Sequence, residues 1–157
     1  MEIQLKDFDF KKSKLKEGIV YIDYSINFKA NGGFRHPKIS DEINDPHPDL
    51  IKSIKSFLDI LLDIWEFQPN DENEVQVTGI SFSGKEGNEG IIITGKKTVE
   101  GGVVAMNSHR IRLDSDSLGF EDKLKELYEY HKKEVFSALY EGKTAQMNIP
   151  FKEEKNK

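Results

Sequence analysis

Residues 19–29 alternate without a break. Val20, Ile22, Tyr24, Ile26 and Phe28 fall on one side of an extended chain, and Tyr21, Asp23, Ser25, Asn27 and Lys29 on the other. Successive side chains of a strand point to opposite faces. The segment therefore satisfies both sets as a half-buried strand, apolar side on a core and polar side in water. One such strand is not stable alone. It needs partners in a sheet and a layer to cover its apolar face.

The covering layer is legible further on. Leu50, Ile51, Ile54, Phe57, Leu58, Leu61, Leu62 and Trp65 recur at helical spacing, a face wide enough to lie on a sheet. Pro48 suits the first turn of that helix, with His47 or Asp45 at its cap, and Pro69-Asn70-Asp71 ends it. A second amphipathic face runs through Phe120, Leu124, Leu127, Tyr128, His131, Val135, Ala138 and Leu139 and stops at Gly142. Ile3 to Phe10 alternates loosely as a first strand, and Lys11 to Gly18 reads as a polar connection. Residues 34–48, with Pro37, Pro46 and Pro48, read as an irregular loop. Val75 to Ser83 shifts phase at Gly79, which predicts a bulge. Ile91 to Thr98 and Val103 to Met106 complete a meander, the last strand extending toward Ile111 and Leu113. The expected fold is α+β in the order ββαβββα: a mostly antiparallel five-stranded sheet with two helices on one face. One domain is expected over residues 1–143, followed by a tail at 144–157.

The chain has no Cys, which excludes disulfides, thiolate metal sites and cysteine nucleophiles and fits a reducing cytoplasm. No apolar run reaches the length of a membrane span, and Met1 to Asp7 lacks the apolar core of a signal peptide. A cytoplasmic protein without membrane contact is expected. The formal net charge is −5, which argues against a strong stand-alone binder of duplex DNA. Lys11, Lys12, Lys14 and Lys16 are close together but diluted by Asp7, Asp9 and Glu17, as on a solvated loop or edge strand.

Catalytic patterns are missing. The glycines at 84–87 and 101–102 lack the ending of a phosphate loop and do not join a strand to a helix. Ser81-Phe82-Ser83-Gly84 lacks the glycines of a nucleophile elbow. His36 and His47 share the Pro-rich loop, and a metal site could draw on both with Asp41, Asp45 or Asp49, but the spacing matches no metal-ligand pattern. His131 falls on an apolar helix face as a core residue. No enzyme, cofactor or metal is expected. Lys96 and Lys97 with Arg110 and Arg112 across the turn, and Arg35 and Lys38 in the 31–48 loop, are candidate anion- or ligand-binding cations. Tyr21 is the outward-facing aromatic best placed to stack on a single-stranded nucleic acid base.

The tail carries Gln146-Met147-Asn148-Ile149-Pro150-Phe151. A Gln at the rim with Met147, Ile149 and Phe151 filling apolar pockets, and Pro150 fixing the ending, suits docking as an extended peptide. The pattern resembles the hexapeptide with which bacterial replication and repair proteins bind the sliding clamp, leucines being replaced conservatively. The alternative is that the tail folds back as an edge strand and buries the same three side chains. Residues 75–151 are similar to an uncharacterised family of small bacteriophage proteins encoded among replication and recombination functions. The likeness rests on Val77 to Gly84, Asn88 to Gly95 and Met106-Asn107-Ser108, with His109 where that family has a proline or apolar residue. It implies a setting and no catalytic residue. The expectation is a non-enzymatic phage accessory protein of DNA replication or recombination that recruits the host clamp. A second class stays open: a counter-defence protein that inhibits a host immune factor or sequesters a nucleotide signal, with a site between the subunits of a homo-oligomer.

Overall fold

A computed structural model describes residues 3–30, 33–65, 74–84, 87–113 and 121–144. After a single 3₁₀ turn at Leu5–Asp7 come five strands, β1 (Phe8–Lys16), β2 (Ile19–Ile26), β3 (Phe28–Ala30), β4 (Gly33–Arg35) and β5 (Lys38–Ile43). Two short helices follow, α1 (Pro48–Lys55) and α2 (Leu58–Ile64). The chain then forms β6 (Val75–Ser83), β7 (Gly90–Val99), β8 (Gly102–Asn107), β9 (Ile111–Arg112) and α3 (Glu121–Tyr140).

The fold is α+β. The main sheet has seven strands in the order β5-β2-β1-β6-β7-β8, with β9 also on β7, and β3 pairs β4 in a small separate hairpin. Each strand pairing is antiparallel. The helices pack on one face of the main sheet. Phe10, Val20, Ile22, Ile80 and Ile93 from the strands, Leu50, Ile54 and Leu61 from α1 and α2, and Leu124 and Val135 from α3 are buried in one apolar cluster.

Several expectations need correcting, each for a visible reason. The sheet has more than five strands because segments that read as connections pair. The first strand runs through the expected polar connection: Phe8 and Phe10 face the core, a bulge between Phe10 and Lys12 resets the alternation, and Ser13 and Leu15 then face inward. The polar look of 11–16 comes from lysines on the open face plus one inward serine. The 34–48 segment holds β5, which pairs with β2 from Ile43 opposite Val20 to Lys38 opposite Ser25. Its charges suit a sheet edge. The long helix is two, broken at Ser56 and Phe57. There the hydroxyls of Ser53 and Ser56 bond back to the carbonyls of Leu50 and Ser53, a competition that disfavours continuing the helix. Trp65, assigned to the core, is the C-cap of α2 and 45% exposed. The last strand does not continue to Leu113 but restarts as β9.

The expected bulge at Gly79 is present, as a register shift between Val77 and Gly79. It coincides with a close approach: a Cβ at Gly79 would lie 2.5 Å from the carbonyl oxygen of Ser13. Gly142 ends the last helix with φ of 69°, a left-handed conformation that glycine adopts without cost.

Candidate functional site

The close approach at Gly79 is also where the sheet opens. β1 and β6 are paired only from Lys12–Lys14 to Gly79–Ser81. Beyond it Leu15 and Lys16 pair with β2 alone, and Val75 to Val77 pair with β7 alone. The strands part, and the gap is a cleft of about 800 Å³ backed by Ile51 and Lys55 of α1. Lys14, Lys16, Lys55 and Lys96 line it, against a single acid, Glu17. Four cations thus converge on one cavity of a chain whose formal net charge is −5. All four are exposed, and none makes a hydrogen bond or ion pair among the described residues. Gln76 and Thr78 add neutral polar groups to the lining. Tyr21, 36% exposed, is the cross-strand partner of Lys14 and shares its open face. Ammonium groups with a neighbouring aromatic ring suit a phosphate-bearing ligand with a base to stack.

The sequence-derived cations are dispersed. Lys96 is in the cleft. Lys97 faces the helix side, opposite Val75 and Val104. Arg112 pairs with Gly90, six residues along β7 from Lys96, about 20 Å at strand rise. The four therefore form no common patch. Arg110 and Arg112 instead staple the turn between β6 and β7. Arg110 donates to the hydroxyl and carbonyl of Ser83, each at 3.0 Å, and to the carbonyl of Asn88, while lying across Gly90; Arg112 donates to Gly87 O at 3.3 Å. Lys38 borders a second cavity of about 640 Å³ beside Asp9, Asp23 and His36. Arg35 lies in β4, and its side chain is outside the described residues. So are Gln146, Met147, Ile149, Pro150 and Phe151. The described chain ends at Thr144, bridged to Pro46, and Lys143 beside it holds Glu134 at 2.9 Å and Asp49 at 3.0 Å. That contact keeps the Asp49 carboxyl below its usual range.

Sequence reasoning missed Lys14, Lys16 and Lys55 as site residues. The signal was present: lysines at 12, 14 and 16 repeat with the period of one strand face.

The buried polar groups do structural work. His131 is fully buried between Ser13 and Ser53, with Nε2 2.7 Å from Ser13 Oγ and Nδ1 2.8 Å from Ser53 Oγ. Ser53 Oγ donates its proton to Leu50 O, so it accepts from Nδ1–H, and Nε2 accepts from Ser13. The ring is neutral, and burial pulls its pKa down to about 3. A serine and a histidine here form no hydrolytic pair, because both are sealed from solvent and no carboxylate orients the ring. Tyr24 donates to Asp41 at 2.5 Å and accepts from Tyr140 at 3.1 Å, and burial raises its phenol pKa. His47 caps α1, accepting from Asp49 N at 3.0 Å, and His36 bonds Asn27. Among the described residues no group of three or more His, Asp or Glu is placed to hold a metal ion, and no helix is long and apolar enough to cross a membrane.

No protein-family model, no curated protein and no solved structure matches this chain.

Proposed function

We propose that the protein is a non-enzymatic adaptor of DNA replication or recombination. The domain holds a single-stranded nucleic acid against the lysine-lined cleft, and the tail, through Gln146, Met147, Ile149, Pro150 and Phe151, recruits the bacterial sliding clamp. The observation that carries the first half is the convergence of Lys14, Lys16, Lys55 and Lys96 on one cavity beside Tyr21. Phosphates would pair with the ammonium groups, and a base would stack on the tyrosine. The second half rests on the hexapeptide pattern alone. Phage encoding, suggested by the likeness of residues 75–151, fits both halves.

The test of the cleft is fluorescence anisotropy with a labelled single-stranded oligonucleotide at rising salt. Neutralising about three phosphates gives a log–log salt slope of about −2. Binding that vanishes in Lys14→Glu/Lys96→Glu while folding is retained supports the reading. No binding at low salt, or binding untouched by that variant, refutes it. The tail is tested separately, by binding to a purified clamp with Gln146→Ala/Phe151→Ala as control.

The cleft volume, about 800 Å³, also lies in the range of small-ligand sites, which favours a second reading in which a free nucleotide is sequestered. A thermal shift with mononucleotides or cyclic dinucleotides, in place of affinity for the oligonucleotide, would select it.

A further inference from the structure

β8 ends the sheet, and nothing among the described residues pairs with its outer edge. Its sequence, Gly102-Val103-Val104-Ala105-Met106-Asn107, has no charge, and Val103 and Val104 are 60% and 50% exposed. Natural sheets commonly protect such edges with charges, prolines or covering segments. The opposite edge, β5, shows the usual protection: Lys38, Asp41 and Glu42 lie in it, and Asp41 points toward the helix side.

The hydrogen-bond alternation shows which groups of β8 are unspent. Ser108 N donates to Ile93 O at 2.8 Å and Leu113 N to Glu89 O at 2.9 Å, so the odd residues of β7 bond toward β8 and β9. Bonded pairs in an antiparallel ladder recur every second residue, which makes Gly95–Met106, Lys97–Val104 and Val99–Gly102 the bonded pairs between β7 and β8. The backbone groups of Val103, Ala105 and Asn107 therefore point to the free edge, evenly spaced and centred on Ala105.

We infer that β8 pairs with β8 of a second copy, antiparallel about a two-fold axis at Ala105. In that register Ala105 faces Ala105 of the second copy and Val103 faces its Asn107. These three bonded pairs use every unspent N–H and C=O of Val103, Ala105 and Asn107. Between them Val104 meets Met106 of the second copy on the helix side, covering an exposed valine with an apolar neighbour. No charge opposes the contact, and the smallest side chain sits on the axis. The same operation at β5, centred on Ser40, would set Ile39 against Asp41. The two-fold axis is perpendicular to the sheet, so both open faces stay on one side. Val103 and Ala105 also line the lysine cleft, so the two clefts become neighbours on one continuous face. If the cleft reading above holds, its ligand is then an extended polyanion crossing both copies.

Sedimentation equilibrium of the full chain without ligand tests the pairing independently of any ligand. A reversible dimer is expected. Ala105→Pro should raise its dissociation constant by about tenfold or more, because proline removes a donor that the monomer does not use. Val103→Lys should weaken it as well and, being a surface change, guards against misfolding by the proline. Circular dichroism and thermal melting of both variants should match the parent. A monomer at the highest soluble concentration overturns the inference. So does a dimer that survives both variants.

Discussion

The two faces of the central sheet are held to different standards, and β1 shows both within a few residues. Its inward Ser13 is fully buried and bonded to His131, while Lys12 and Lys14 on either side stand exposed on the open face. On the helix side every group has a neighbour: among the described residues no buried side-chain nitrogen or oxygen lacks a partner. On the open side, Lys14, Lys16 and Lys96 gather at the cleft with no hydrogen-bond or ion-pair partner among the described residues. A face that satisfies itself specifies the fold, and a face that does not is available to a ligand. Substitutions should therefore have opposite consequences on the two faces.

The largest effect belongs to the inner face. Phe10 is fully buried and packs edge-on to His131 with ring centroids 5.3 Å apart and against Tyr128 at 6.2 Å. Phe10→Ala should cost about 3–5 kcal/mol, a large part of the stability of a domain this size. Tyr21→Ala on the open face should change stability by no more than about 0.5 kcal/mol while weakening oligonucleotide binding. Urea titrations of both variants check this. Comparable losses at both positions would erase the distinction between the faces.

A second prediction uses pH. His131 has its folded pKa depressed to about 3, against an ordinary value of 6.5. Below pH 6.5 the unfolded chain binds a proton there that the folded chain refuses, so stability is complete above 6.5 and falls as pH drops toward 3. The slope is up to about 1.4 kcal/mol per pH unit. Asp49, whose pKa is lowered by Lys143, adds to the loss only in the more acidic carboxylate range. Urea midpoints between pH 7.5 and 5 should fall in the parent. They should fall much less in His131→Gln, which starts lower because an amide replaces both ring bonds imperfectly.

The same network explains what was legible in the sequence. The apolar row of β2 from Val20 to Ile26, the bulge at Gly79, the meander of β6 to β8 and the stop at Gly142 all follow from periodicity or backbone chemistry, and they are where the sequence placed them; Phe28, expected at the end of that row, instead starts β3 in the separate hairpin. β1 was misplaced because its inner row contains Ser13, whose partner lies 118 residues away on α3. β5 was missed because an edge strand carries the charges of a loop. The lysine cleft depends on where β1 and β6 part company, a tertiary event that alternation within either strand does not encode. Lys96 and Lys97, adjacent in sequence, end on opposite faces because strand neighbours always do.

Gly79 joins the two faces. Adding a methyl group there places it 2.5 Å from Ser13 O and 3.4 Å from Lys14 Cα, both backbone atoms that cannot rotate away. Gly79→Ala should cost about 1–3 kcal/mol as the strands are pushed apart. Since Lys14 borders the cleft, the variant should also change the oligonucleotide affinity. A stability loss without any change in binding would mean that the cleft geometry does not depend on this crossing.

The smallest stability effect is expected where the binding effect is greatest. Lys14→Glu/Lys96→Glu exchanges two exposed cations that are unpaired among the described residues for two carboxylates, on a face with little to disrupt. Surface substitutions of this kind usually fall within about 0.5 kcal/mol each, and the local relief of lysine–lysine repulsion acts in the stabilising direction. Stability at moderate salt should therefore hold or rise slightly, while affinity for a polyanion collapses. If the variant is instead strongly destabilised, the lysines are holding the splayed strands together through contacts of their own, and the open face is as structural as the closed one.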